Sequence, residues 1–273
     1  MRRYFSIIIG EGCNARCPFC ISRPGVKSAN PMDIEELRLA AQFARREGSE
    51  VCSVSGGGEP LLMAAKYKSE WGELVNAIEC FSKRDLHSNL SIWPQGAMIE
   101  QFSDLTISLW PQREITTRYM GRDLHDRIIT NCARIPGNIN LRVSSVIGRD
   151  WCSDSEQVLD MVDLAKQLGA KQLTLRELQN AQHLDQTWMQ EYHLPLAGVE
   201  EWLASGFPLI RQTAHGSPVF EVEGLEVCCY NYSKPGQDQE FLFFRPDSYG
   251  RYGLFTDYQD DSCRVDIPGG ISA

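Results

Sequence analysis

Six short apolar runs, each followed by residues at helical spacing, fill the chain from Tyr4 to about residue 180. The runs are Tyr4–Ile9, Val51–Ser55, Leu86–Trp93, Leu105–Trp110, Ile139–Ile147 and Lys171–Glu177. Between them Ile34, Leu37, Ala41 and Ala44 keep one helical stripe, and Trp71, Leu74, Val75 and Ile78 another. The clearest helix follows the fifth run. Ser153 with Glu156 forms a capping box, Val158, Met161, Val162 and Ala165 supply the stripe, and Gly169 ends it. Strands alternating with helices in this order specify a parallel sheet, because a parallel neighbour needs a long crossover.

The strands also choose between an open, doubly covered sheet and a curled one. In the fourth run Ile107 and Leu109 oppose Thr106, Ser108 and Trp110. In the fifth, Leu141, Val143, Ser145 and Ile147 oppose Arg142, Ser144 and Val146. In the sixth, Leu173 and Leu175 oppose Gln172, Thr174 and Arg176, and Ser53 and Ser55 share a face in the second. A sheet buried on both sides reads as continuously apolar, whereas here one face is repeatedly polar. The expected fold is therefore α/β, a partial (β/α)6 TIM-like barrel with a polar lumen, spanning residues 1–180. Residues 181–273 read as a capping extension: a helix near Leu196–Ala204, then strands at Val219–Val222, Leu225–Tyr232, Glu240–Arg245 and Arg251–Phe255. Their turn-rich spacing predicts an antiparallel β appendage without a core of its own.

Composition narrows the function classes. No run approaches the roughly 20 apolar residues that cross a bilayer, and Ile7–Ile9 is too short for a signal peptide. A cytoplasmic, reducing setting is expected. The net charge of −9 disfavours extensive binding to duplex nucleic acid, which needs clustered Lys and Arg. Ten cysteines are spaced unlike a disulfide framework, since three crowd into one short segment. In a reducing compartment that pattern is metal-binding or catalytic.

That segment, Cys13-Asn14-Ala15-Arg16-Cys17-Pro18-Phe19-Cys20, directly follows the first strand. Three thiolates on one loop suit a [4Fe–4S] cube with one iron left open. Zinc is the alternative, although structural zinc takes four ligands, usually as two pairs. The CxxxCxxC run with its aromatic resembles the signature of the radical S-adenosylmethionine (SAM) superfamily. A second feature agrees, since Gly56-Gly57-Gly58-Glu59-Pro60 ends the second strand where that family carries its GGE motif. Thr106-Ile107-Ser108-Leu109 resembles the strand-four segment of the branch containing the molybdenum-cofactor GTP cyclase, so the likeness extends over residues 4–180.

The resemblance implies one [4Fe–4S] cluster on Cys13, Cys17 and Cys20, and SAM chelated to its open iron. It implies Phe19 beside the adenine, and Gly57, Gly58 and Glu59 at the methionine amino group. Ser108 is implied as a ribose or methionine contact, Arg142 as the cation for the SAM carboxylate, and the strand carrying Ser144 as an adenine contact. An electron donor such as flavodoxin or ferredoxin is the implied partner.

Cys228 and Cys229 are adjacent and point to opposite strand faces, so with Cys263 they make a poor second cluster. Of Cys52, Cys80, Cys132 and Cys152, most read as small buried apolar residues. A single cluster favours a redox-neutral rearrangement or isomerisation. Two strand ends look alike, Trp93-Pro94-Gln95 and Trp110-Pro111-Gln112. Their aromatics suit stacking on a planar ring and their amides suit its edge. Arg176 in the lumen suits a phosphate or carboxylate, and Tyr230, Asn231, Tyr232 and Arg251 are lid candidates. A nucleoside-like or heterocyclic compound is the expected substrate, with a modified base in DNA or RNA as a variant. The rivals are a peptide-modifying enzyme, a dehydrogenase and a non-catalytic zinc or iron–sulfur protein.

Overall fold

A computed structural model describes residues 4–10, 12–21, 32–179, 184–213, 216–230, 241–258 and 260–267. The chain forms β1 (Tyr4–Ile8), α1 (Ile34–Arg46), β2 (Val51–Ser55), α2 (Pro60–Lys66), α3 (Lys68–Ala77), β3 (Lys83–Ser88) and β4 (Asp104–Ile107). It continues with α4 (Arg113–Met120), α5 (His125–Cys132), β5 (Asn140–Val146), α6 (Ser155–Gln167) and β6 (Gln172–Arg176). The last third holds α7 (Gln186–Tyr192), α8 (Ala197–Gly206), β7 (Leu209–Gln212), β8 (Pro218–Val222), β9 (Leu225–Tyr230), β10 (Phe241–Pro246) and β11 (Tyr252–Phe255).

All of these strands belong to one sheet, ordered β11-β10-β1-β2-β3-β4-β5-β6-β9-β8-β7. The six central strands stand side by side in chain order and run parallel, as expected. The sheet is open, since β11 and β7 are its two edges. The C-terminal strands divide between those edges. β9 pairs parallel with β6, and β10 pairs parallel with β1. Antiparallel pairing is confined to β7–β8, β8–β9 and β10–β11. The expected antiparallel strands thus form in the C-terminal part, and two of them also prolong the parallel wall. A hairpin does form where a turn dictates it: Glu223 and Gly224, at φ 51° and 83°, join β8 to β9. The free edge of β9 finds β6 by a contact far along the chain. β7, exposed throughout, has no apolar alternation to announce it.

Alternation sorts the strands as the sequence implies. Phe5, Ile7, Val54, Leu86, Leu105, Ile107, Leu141, Val143, Leu173 and Leu175 are buried in the main core, which the helices cover. Leu37, Ala40, Ala41 and Ala44 from α1 and Val158, Met161, Val162 and Ala165 from α6 pack into it. Each large aliphatic buried this way contributes about 1.5–3 kcal/mol. The opposite face is polar: Ser6 and Ser53 share a 2.8 Å hydrogen bond, and Asp85, Thr106 and Thr174 are buried there.

Two local expectations shift. α6 is capped by Asp154, whose carboxylate accepts from Gln157 N at 2.9 Å, while Ser153 bonds to the Gln157 amide oxygen. The cap thus sits one residue later than Ser153 with Glu156. β3 runs from Lys83 to Ser88, not to Trp93, because Leu90 adopts φ 52° and breaks the extended chain.

Candidate functional site

The three clustered cysteines lie on the loop that leaves the carboxyl end of β1. Cys13 is exposed, and Cys17 and Cys20 are half-buried. The backbone of this loop is pinned at several points. Gly10 N donates to the Tyr252 hydroxyl at 3.0 Å, and Glu59 N donates to Gly12 O at 2.8 Å. Asn14, one residue after Cys13, donates to Ser91 Oγ at 2.7 Å and accepts from Asn89 Nδ2 at 2.8 Å. Arg16 N donates to Met120 O at 2.7 Å. The loop is thereby tied to the carboxyl ends of β2 and β3 and to the end of α4.

Glycines make that contact possible. A Cβ on Gly57 would stand 2.3 Å from Ile9 O, one on Gly58 2.3 Å from Gly12 O, and one on Gly121 2.5 Å from Arg16 O. Gly57 and Gly121 also hold φ of 64° and 62°. The family resemblance assigns Gly57 and Gly58 to a ligand. Their Cβ positions meet the cysteine loop itself.

Glu59 is also more occupied than its motif suggests. It caps α2, accepting from Leu61 N at 3.0 Å, and takes Ser88 Oγ at 2.6 Å and Asn89 N at 2.7 Å. Burial pushes its carboxyl above the usual range, and these three donors pull it back. Glu59 joins the end of β2 to the end of β3. A carboxylate has about four lone-pair sites, so capacity for one further donor remains.

Among the described residues, no three His, Cys, Asp or Glu side chains are grouped to hold an ion where they stand. The fit to an iron–sulfur cluster therefore rests on the donor set: three thiols on one pinned loop, the ligand type such clusters use.

The polar face holds a second network below the mouth. Asp85 accepts from Thr106 Oγ1 at 3.1 Å, lies 3.0 Å from His87 Nε2, and faces Arg142 Nη1 at 3.4 Å. Burial pushes the Asp85 carboxyl up, but His87, Arg142 and Thr106 together hold it well below the usual carboxylate range. Arg142 is thus paired with Asp85, and its buried Nε has no hydrogen-bond partner among the described residues. Ser144, one inward position nearer the mouth, is buried, and Ser108 lies half-buried just past β4. The Arg176 guanidinium sits 5.1 Å from the Tyr230 ring centre. Burial pushes the Cys228 thiol up to about 11, opposed by Arg176, Arg142 and Arg211.

The aromatic expectations divide. Phe19 lies 5.8 Å from Tyr119 and 6.0 Å from Trp188, centre to centre, in an aromatic group. Trp110 belongs to the core: 1% exposed, it donates to Val146 O at 2.9 Å and packs 4.9 Å from Tyr119. It has no open face for a substrate. Trp93 lies half-buried in a groove walled by α5, with the Arg134 guanidinium 4.7 Å above its ring. Gln95 and Gln112 are exposed. Arg251 is drawn into the turn before β11, bonding Asp247 at 3.1 Å, which removes it as a lid candidate. Asn231 and Tyr232 fall outside the described residues.

Sequence reasoning missed Asn14, Asp85, Asn89, Ser91 and Tyr252. The signal for Asn14 was its place between two proposed ligands. Asn89, Ser91 and Tyr252 are polar residues at or beyond strand ends, which carry no periodic mark, and Asp85 sits in a charged run, Lys83-Arg84-Asp85, that does not read as a strand.

Residues 7–92 match the sequence model of the Radical SAM superfamily. That superfamily works with a [4Fe–4S] cluster and S-adenosylmethionine. Over 116 residues it is 34% identical to 7-carboxy-7-deazaguanine synthase of Hyperthermus butylicus, a match covering 42% of this chain and 46% of that protein. Among solved structures, SuiB of Streptococcus suis bound to S-adenosylmethionine aligns with a TM-score of 0.59 at 16% identity, over 75% of this chain and 47% of that one. Native anSMEcpe with bound AdoMet and Cp18Cys peptide aligns at 0.57 and 15%, over 75% and 58%. The alignments thus span about half the length of these relatives, and the two structural ones show the fold alone.

Proposed function

We propose that this chain is a radical SAM enzyme that abstracts hydrogen from a C–H bond of a nucleoside-like or heterocyclic small molecule, for a redox-neutral rearrangement or isomerisation. The observation that carries the enzyme reading is the Cys13–Cys20 loop, pinned through Gly12, Asn14 and Arg16 at the carboxyl end of the parallel sheet. Ligands of βα barrels sit at that end. Support for the substrate class comes from the Hyperthermus butylicus relative, whose name specifies a deazaguanine product.

Cys13, Cys17 and Cys20 would hold the cluster. When bound, the cluster and SAM supply a 5′-deoxyadenosyl radical, the hydrogen-abstracting agent. The chain's own residues bind and orient. Phe19 offers an aromatic face at the mouth, Ser108 and Ser144 offer hydroxyls on the lumen side, and Arg176 offers a cation for a substrate carboxylate or phosphate. Arg142 is assigned to the floor of the lumen with Asp85. Cys229 packs in the helix-covered core and Cys228 faces the lumen. That split argues against a joint second cluster and supports redox-neutral chemistry. A flavodoxin or ferredoxin would deliver the electron.

The test is anaerobic reconstitution with iron and sulfide, then dithionite and SAM. About four irons per chain and formation of 5′-deoxyadenosine are expected, and Cys17→Ala abolishes both while the fold persists. Zinc in place of iron, or no 5′-deoxyadenosine with any substrate, overturns the proposal. Deuterium passing into 5′-deoxyadenosine from a labelled peptide, and from no heterocycle, overturns the substrate class.

A further inference from the structure

The groove that holds Trp93 lies beside helix α5, next to the cysteine loop. It is a cavity of about 420 Å³ between the segment after β3 and helix α5, lined by Ser91, Trp93, Asp126, Arg127, Asn131 and Arg134, with Thr130 alongside. Its floor is directly connected to the cysteine loop, since Ser91 Oγ accepts from Asn14 Nδ2 at 2.7 Å. The connection is rigidly built. Asn131 Nδ2 donates to Leu90 O at 2.9 Å, and Leu90 N donates to Ser88 Oγ at 2.8 Å, holding Leu90 at φ 52°. Helix α5, the floor and the loop between Cys13 and Cys17 thus form one hydrogen-bonded chain.

The charge of the groove is the reverse of the molecule's. The chain carries −9 overall, yet Arg127 and Arg134 are exposed on this lining. Asp126, the carboxylate among them, is engaged by Arg113 Nη1 at 3.0 Å. Among the described residues neither Arg127 nor Arg134 is in an ion pair. Arg134 lies over Trp93 and 3.5 Å from the Asn131 amide oxygen. An acidic protein approaching an acidic chain is repelled except where a basic island opens, and such islands set approach rate and orientation.

We propose that this basic groove is the docking surface for an acidic one-electron carrier protein, of the flavodoxin kind, that serves the group held by the cysteine loop. The proposal rests on the radical SAM reading for the use of the electron, not for the binding itself. One electron leaves the reduced carrier, which is oxidised, and enters the cysteine-bound group, which is reduced. No bond to the carrier forms.

The experiment compares the reconstituted wild-type enzyme with Arg127→Glu/Arg134→Glu and with the charge-preserving Arg127→Lys/Arg134→Lys. Circular dichroism and thermal melts confirm that each is folded. Binding of oxidised flavodoxin is measured by calorimetry at low and high salt, and 5′-deoxyadenosine formation is driven separately by reduced flavodoxin and by dithionite. Charge reversal is expected to weaken flavodoxin binding at least tenfold at low salt, to flatten its salt dependence, and to slow the flavodoxin-driven reaction in proportion. The lysine variant stays near wild type, and the dithionite-driven rate stays within about twofold in all three. Equal flavodoxin affinity and equal salt dependence in wild type and the glutamate variant overturn the docking surface. So does a variant that loses binding of inorganic phosphate while keeping that of flavodoxin. Failure of wild type to make 5′-deoxyadenosine with dithionite overturns the enzyme reading instead, and the calorimetry still decides the surface.

Discussion

The tripeptide Trp-Pro-Gln occurs twice at the carboxyl side of the sheet, after β3 and after β4, and the two copies have opposite fates. Trp110 is 1% exposed, donates to Val146 O and packs against Tyr119. Trp93 is half-buried, with Arg134 as its roof. The segment C-terminal to each copy accounts for the difference. After Trp110 the chain enters α4, and Thr116 reaches back to hold both Trp110 N, at 3.3 Å, and Trp110 O, at 3.0 Å. The ring is turned inward beneath that clamp. After Trp93 the chain turns at Gly96, φ 70°, and the ring packs at the margin of the core, half-open beside α5 with Arg134 over it. Identical local chemistry becomes core or surface according to what the next helix covers.

The sharpest way to break this comparison is to remove both rings. Trp110→Ala should cost about 3–5 kcal/mol, the range for emptying a large aromatic site in a core. Trp93→Ala should cost about 1 kcal/mol, since it gives up partial burial and one cation–π contact. Urea unfolding of the two variants reads the difference, and equal losses would show that the two turns are energetically alike. Trp110→Phe comes next. It keeps most of the packing but leaves Val146 O without the indole donor, an expected loss of about 1–2 kcal/mol.

The same contrast separates the features legible in the sequence from those that are not. β2 is legible to the residue, and the inward and outward faces of β5 and β6 follow from strict alternation. The cysteine loop announces itself by spacing. β3 is displaced from its expected span because its first half is Lys83-Arg84-Asp85, a run that looks like a loop. Asp85 can lie buried in a strand because Arg142 and Thr106 meet it there. Those partners are 57 and 21 residues away. The Gly56–Gly58 turn is visible as a motif, but its closeness to Ile9 and Gly12 depends on the β1–β2 pairing. In each case local pattern specifies the element, and a distant partner decides its use.

A smaller effect tests what keeps the Trp93 turn in shape. Asn131 is buried and donates to the carbonyl of Leu90, the residue whose positive φ ends β3. Asn131→Ala should lower stability by about 1–2 kcal/mol by leaving that carbonyl unmet. It should also raise amide exchange across residues 89–93, while exchange around Trp110 stays as in wild type. Matching changes at both turns would mean that they move as one unit.

The smallest expected effect isolates the roof of Trp93 from its walls. The Arg134 guanidinium lies 4.7 Å from the ring centre and is exposed, so its attraction to the ring is weakened by water. A double-mutant cycle of Arg134→Ala with Trp93→Ala should give a coupling of about 0.5 kcal/mol, the level of an exposed cation–π pair. The corresponding pair under the Thr116 clamp, Trp110→Ala with Tyr119→Ala, places two buried rings 4.9 Å apart. Its coupling should reach about 1 kcal/mol, since aromatic pairs add 0.5–1.5 kcal/mol beyond area in general. If the exposed pair couples as strongly as the buried one, Arg134 is fixed on Trp93 by more than the contacts described. Its charge would then be less available to an incoming protein than the groove geometry implies.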